Sequence, residues 1–481
     1  MTHSSDHFQK IVDQEKGLQR SLSSSQMSMI AIGGAIGTGL FLGSGFAIGF
    51  AGPSVLISYA IGAVIALLLM GCLAEMTVAH PTSGSFGAYA GYYVSPWAGF
   101  MVRYAYWASI VLAIGAEVTA VALYMQYWFP SSPSWVWIVL FSACLIGVNA
   151  LSVNIFGMVE YWFSAIKIVA IVGFILLGAY IVYGAPASGP IGFKNYFDHG
   201  GFFPKGFWGT WVAVIVSIFS YLSIEMIAVA AGEAKEPEKA ITHAFRAAMV
   251  RLVVFYMLTL ALMLAIVPWS AAGTDKSPFV KVMEAIHIAG APALINFVVL
   301  IAALSAMNSQ LYITTRMMFS LSRAGYASPR FGRVNRRGVP LQALALSCIG
   351  IALAAGLSIL YPHASFGLMM AISMFGAMFT WLMIFVTHYC FRRRWNKEGG
   401  RPLAFRMWGF PVLTLLGAGL MLAIMATTLF TDEFKATLLT GIPFVAVLSV
   451  VYFVWYRNPQ HHELEVQAPE VAAAGKPITE I

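Results

Sequence analysis

Long apolar runs separated by short polar stretches fill the chain from residue 27 to residue 456. A helix needs about 20 mostly apolar residues to cross the hydrocarbon core of a bilayer. Twelve runs approach that length, at 27–50, 55–76, 98–128, 135–153, 158–183, 208–231, 246–268, 291–314, 341–361, 366–389, 409–430 and 436–456. The pattern predicts an all-α polytopic membrane protein with twelve transmembrane helices over residues 27–456, flanked by tails at 1–26 and 457–481. The C-terminal tail, with Glu463, Glu465, Pro469 and a run of alanines, has the composition of a disordered segment. The first 26 residues mix both signs of charge with no small-residue cleavage site after them, so span 1 is expected to act as its own targeting signal.

Composition sharpens this picture. Of 481 residues, 59% are hydrophobic and 10% charged, against about 25% charged in soluble proteins. No room is left for a sizeable soluble domain. The net charge of +8 follows from topology and does not indicate nucleic-acid binding. Twelve spans return the chain to its starting side, where 22 of the 28 Lys and Arg residues would lie. Only Lys194, Lys205, Lys276, Lys281 and Lys435 fall on the other face, and Lys167 falls within a span. The side of the tails is therefore expected to be cytoplasmic. Loops 316–337 and 392–406 carry most of this bias, through Arg316 and Arg392 among others. Cys72, Cys144, Cys348 and Cys390 show no CxxC spacing and are expected in the core rather than in disulfides or at zinc.

Span 1 contains GGAIGTGLFLGSG, residues 33–45. Each glycine inside a helix costs about 1 kcal/mol relative to alanine. The pairs 33/37, 39/43 and 45/49 have small-xxx-small spacing, which suits close helix packing. At about 100° per residue, however, the glycines spread around most of the circumference, and one packing stripe does not account for them. A dinucleotide fingerprint fails too, because Leu42 stands where its third glycine belongs and no strand precedes it. A discontinuous helix remains, tolerated at membrane depth where it lines a cavity. The amides opening its outer half suit a carboxylate and the carbonyls closing its inner half suit an ammonium group, a pairing that fits an amino acid.

Charges inside spans are functional candidates by default. Glu117 in span 3 is either a paired structural carboxylate or part of a substrate pocket. Lys167 in span 5 either snorkels to the cytoplasmic surface or is a buried amine that exchanges a proton. Glu225 in span 6 suits pocket shaping or gating. Glu75 and Arg103, near span ends, are expected at the interface. In span 8, Ser305 and Asn308 bring a hydroxyl and an amide into an apolar run.

Several strings occur together: GGAIGTGLFLGSG, LAEMTVAHPTSGSFGAYA, YWFSAIKIVAI, FSYLSIEMIAVAAGEAKEPEKAI and ALSAMNSQLYITTRMMFSLSRAGYASPRF. In this order they resemble the bacterial amino acid transporter branch of the amino acid, polyamine and organocation superfamily, over about residues 17–457. The resemblance implies a leucine-transporter fold, with spans 1–5 and 6–10 as inverted repeats, broken helices 1 and 6, and two appended spans. It also implies a substrate whose carboxylate meets amides around Gly37, Thr38 and Gly39 and whose amino group meets carbonyls near Ile32 and Phe219. Selectivity would come from Ser220, Leu222, Ser223, Glu117 and Asn308. Lys167 matches a span 5 lysine that replaces a sodium ion in related transporters, with Ser305 beside it, so proton coupling follows. The chain departs from the family in having no glycine between Ser220 and Ile224, where span 6 should break.

The expected function is import of amino acids by alternating access, with protons as the coupling ion and a neutral or aromatic L-amino acid as cargo. The alternative is a permease for cationic amino acids or related amines. A channel would need a continuous polar lining, and a membrane enzyme would need a recognisable catalytic motif, such as HExxH among the histidines; neither is present. No motif calls for a cofactor or a metal. The expected partners are the substrate, protons and membrane lipid.

Overall fold

A computed structural model describes residues 26, 29, 34, 36–82, 84–184, 191–230, 237–271, 276–361, 364–398, 403 and 405–457. Helices account for its regular structure, and no strand occurs among the described residues. A π-helical turn at Gly39–Gly43 runs into α1 (Ser44–Ala51). Then follow α2 (Val55–Ala79), α3 (Ser85–Tyr93), α4 (Pro96–Met125), α5 (Ser134–Leu151), α6 (Val153–Tyr183), α7 (Gly206–Tyr221), α8 (Met226–Ala230) and α9 (Pro237–Ile266). The last group is α10 (Pro278–Ala285), α11 (Ala291–Arg323), α12 (Leu341–Ser347), α13 (Ile349–Leu360), α14 (Ser365–Lys397), α15 (Val412–Thr427) and α16 (Lys435–Val451). Among the described residues, ten stretches are long and apolar enough to cross a membrane, with Gly39–Ala79 counted as one.

The helices sort by what their faces meet. Along α6, Trp162, Val169 and Leu176 are more than 60% exposed, whereas Phe156, Glu160, Ser164, Lys167, Ile171 and Phe174 are buried. Apolar residues point outward toward lipid and polar ones inward, the arrangement a bilayer imposes. The most apolar window of Gly206–Val229 is 100% buried and that of Asp432–Tyr456 only 17%, so α7 is central and α16 peripheral. α4 packs against α11 and α14, while α7 packs against α1 and α2. α6 lies along α9 and α11, and α15 and α16 cover α14.

Several boundaries differ from the sequence expectation. α6 starts at Val153, five residues earlier than expected, because the Ser152 hydroxyl accepts the Ile155 amide at 3.2 Å and caps it. α11 and α14 continue past their apolar runs, so Arg316 and Arg392 sit on helices and are buried rather than in loops. Glu75 and Arg103 are not interfacial. Glu75 is fully buried, accepting from Arg392 Nη1 at 2.6 Å, from the Met407 amide at 2.9 Å and facing His388 Nε2 at 3.0 Å. Arg103 donates to the Gly87 carbonyl at 3.1 Å and to Ser320 Oγ at 3.3 Å. The four cysteines are free, but Cys72 alone is buried, and Cys144 is exposed on the surface of α5.

Candidate substrate site

Two helices lose their regular geometry at the same place. Ile36 and Gly37 are non-helical before the π turn, and Leu222–Glu225 form a turn between α7 and α8. The breaks touch through backbone: a Cβ on Gly39 would lie 2.6 Å from Ser220 Cα and 3.2 Å from the Phe219 carbonyl oxygen. Glycine at 39 is thus required by contact, in addition to being tolerated by the break.

A break leaves backbone groups without helical partners, and buried ones must find others. The Thr38 amide donates to Glu117 Oε2 at 3.2 Å. The Ile36 carbonyl accepts from Lys167 Nζ at 3.0 Å, and the Gly39 carbonyl from Ser220 Oγ at 2.7 Å. On the other helix, the Ser220 carbonyl accepts from Tyr256 Oη at 2.8 Å, and Tyr59 Oη lies 2.8 Å from Ser220 Oγ. The missing glycine of this break is replaced by Ser223 with φ +75°. Its amide donates to Glu225 Oε1 at 3.2 Å, and the same carboxylate accepts from Tyr106 at 2.7 Å and from Trp381 Nε1 at 3.2 Å. Glu225 therefore ties the turn to α4 and α14.

Between the breaks lies a small void lined by Gly37, Gly39, Glu117, Phe219, Leu222 and Ser223. Thr38 and Ser220 stand beside it through the bonds just described. Ile110 and Gln310 also face it, and neither was picked out from the sequence. Ile32 lies outside the described residues. Asn308, expected in the pocket, is elsewhere: its Nδ2 donates to Glu160 Oε2 at 3.0 Å, and its Oδ1 accepts from Asn149 at 2.8 Å. The cause is helical phase, since Asn308 faces α5 and α6 while Gln310, two residues on, faces α4.

Lys167 does not snorkel. Fully buried, it reaches Ser305 Oγ at 2.8 Å as well as the Ile36 carbonyl. Ser305 in turn donates to Glu160 Oε1. Glu160, buried and absent from the sequence candidates, completes a polar seam between α6 and α11 behind the void. Lys167, Glu117, Glu160 and Glu225 are thus all buried in this part of the helix bundle. The available sequence signals were Asn149, an amide inside an apolar run, and the capping serine that moves Glu160 into the third turn of α6.

A multi-pass helical protein with two interrupted helices facing each other across a buried polar void is built as a membrane transporter of small molecules. The chain belongs to the amino acid permease family, whose match spans residues 26–465. It is 36% identical to the γ-aminobutyric acid permease of Bacillus subtilis over 97% of this chain and 98% of that protein. It is 34% identical to amino-acid permease RocE of the same organism, over 95% and 99% of the two chains. Identity to the aromatic amino acid transport protein AroP of Escherichia coli is 36%, over 90% and 95%.

Proposed function

We propose that the protein imports a neutral or aromatic L-amino acid across the cytoplasmic membrane by alternating access, driven by protons. The carrying observation is the hydrogen bond from Lys167 Nζ to the Ile36 carbonyl, at the break of span 1. A cation at that point supports the freed backbone that would hold substrate, so gain or loss of its proton alters the site. Substrate carboxylate would meet the amides of Gly37, Thr38 and Gly39, taking the place that Glu117 holds on the Thr38 amide. The amino group would meet carbonyls near Ile32 and Phe219.

A neutral cargo is favoured because Glu117 and Glu225 are both engaged by donors of the protein itself, and Ile110, Phe219 and Leu222 give the void apolar walls. The names of two relatives, γ-aminobutyric acid permease and aromatic amino acid transport protein, denote cargoes with no side-chain cation. The layout is read as twelve crossings in two inverted five-helix repeats plus two. Gly39–Ala79 has 41 residues, about 60 Å of helix and twice a bilayer, and it turns at Gly52, where φ is +65°. The remaining crossing is α9, whose described apolar part is Val253–Ile266.

The test is uptake of a panel of radiolabelled amino acids into proteoliposomes, with and without an inward proton gradient, for the native protein and Lys167→Ala. Gradient-driven uptake of neutral or aromatic members, reduced at least tenfold in the variant, is expected. Uptake indifferent to the gradient in both proteins would overturn proton coupling, and preference for lysine or arginine would overturn the cargo class.

A further inference from the structure

We propose that Glu160 is a second proton station, receiving the proton of Lys167 through the hydroxyl of Ser305. The inference rests on the proton-coupled reading above and extends it to Glu160, which that reading did not use.

The geometry is a continuous chain of donors and acceptors. Lys167 Nζ donates to Ser305 Oγ at 2.8 Å, and Ser305 Oγ donates to Glu160 Oε1. In a concerted shift the ammonium gives one proton to Ser305 Oγ as the serine passes its own to Glu160. The ammonium becomes an amine, the carboxylate a carboxylic acid, and the serine is unchanged. No other reactant is required.

The surroundings hold the acceptor in line. Asn308 Nδ2 binds Glu160 Oε2 at 3.0 Å and is itself fixed by Asn149. The transferred proton thus goes to the oxygen facing Ser305. Ser164 Oγ lies 3.4 Å from Glu160 Oε1 and donates to the Met29 carbonyl at 3.0 Å, which brings the inner part of span 1 to the same carboxylate. Glu160 sits seven residues nearer the α6 N-terminus than Lys167, about 10 Å along the axis. In the proposed topology that end is cytoplasmic, so the step carries the proton inward.

Few charged groups surround the pair among the described side chains. On α4, Glu117 acts on Lys167. On α11 the next charge is Arg316, stacked 3.8 Å from the Tyr312 ring centroid, and that ring stacks on Phe156 at 4.2 Å. α5 presents Asn149, which is uncharged. Glu160 is therefore the carboxylate joined to Lys167 by a hydroxyl.

The test is time-resolved infrared difference spectroscopy of the full-length protein in liposomes after a rapid pH drop. A carboxylic C=O band is expected that vanishes in Glu160→Gln and changes frequency in Glu160→Asp. Its growth should slow at least tenfold in Ser305→Ala and recover in Ser305→Thr. A band untouched by either Glu160 substitution, or growth as fast in Ser305→Ala as in the native protein, would overturn the relay. A residue that only anchors Asn308 would give no such band. Uptake of a radiolabelled mixture of the twenty common amino acids, measured in the same liposomes with and without the gradient, separates the two readings. If the band behaves as expected while the gradient leaves uptake unchanged, the relay stands and proton-driven transport falls.

Discussion

Ser223 carries the sharpest local constraint. Its φ of +75° lies in the left-handed region, where an L side chain costs roughly 1–2 kcal/mol and glycine does not. The bond from its amide to Glu225 holds that conformation in place of a glycine. Ser223→Gly is expected to stabilise the turn by about 1 kcal/mol and raise the thermal midpoint in detergent, while Ser223→Val lowers it by a similar amount or more. Gly39 offers a complementary case, since a methyl there strikes backbone that has no room to yield. Gly39→Ala should abolish uptake at matched expression, whereas Gly49→Ala, with nothing within 4 Å of the added atom, should keep it. The two residues differed in legibility. A crowded glycine run announces a broken helix, but no residue type announces a serine forced to positive φ, because the constraint comes from Glu225 and from α4 and α14 beyond it.

At the scale of helices, hydrophobic runs located the long apolar helices but not their ends. The ends depend on whether a charge finds a buried partner, which a single sequence does not display. Arg316 stays on α11 by stacking on Tyr312, and Arg392 stays on α14 by pairing with Glu75. Glu160 escaped notice for the same reason: a helix begun at 158 would leave it near solvent, whereas the cap at Ser152 draws it inside. Of the void's lining, the glycines and Glu117 were legible because each is costly in a helix within lipid, whereas the turn after α7 was expected only from the family resemblance. Asn308 and Gln310 were not distinguished, since two residues on one helix face opposite neighbours and only the packing of α11 decides which meets the void. The Glu75 cluster gives a quantitative check on buried pairing. Removing one partner of a buried pair costs about 3–5 kcal/mol because the other charge is left uncompensated. Glu75→Ala should therefore sharply reduce folded protein recovered by fluorescence-detected size-exclusion chromatography. Arg394→Ala, two residues beyond Arg392 and paired with Glu398 where both side chains are partly exposed, should cost no more than about 1 kcal/mol.

For the whole molecule, orientation follows from the distribution of cations once buried ones are set aside. Arg316 and Arg392 belong to the protein interior, yet removing them from the tally leaves the bias intact, because Arg330, Arg333, Arg336 and Arg337 remain between α11 and α12. The opposite face offers Lys276 and Lys281 around the start of α10. Positive loops stay on the cytoplasmic side, so the end of α6 bearing Glu160 should face the cytoplasm and the loop before α10 the exterior. Single cysteines at Lys276 and at Arg336, both exposed positions, placed in a background lacking the four native cysteines, report this directly. Membrane-impermeant maleimide should label Lys276→Cys in intact cells and Arg336→Cys only after permeabilisation. The reverse pattern would invert the molecule and turn the inward proton step into an outward one. Labelling of both from one side would mean an odd number of crossings between residues 276 and 336 is wrong, and with it the assignment of α11 as a single span.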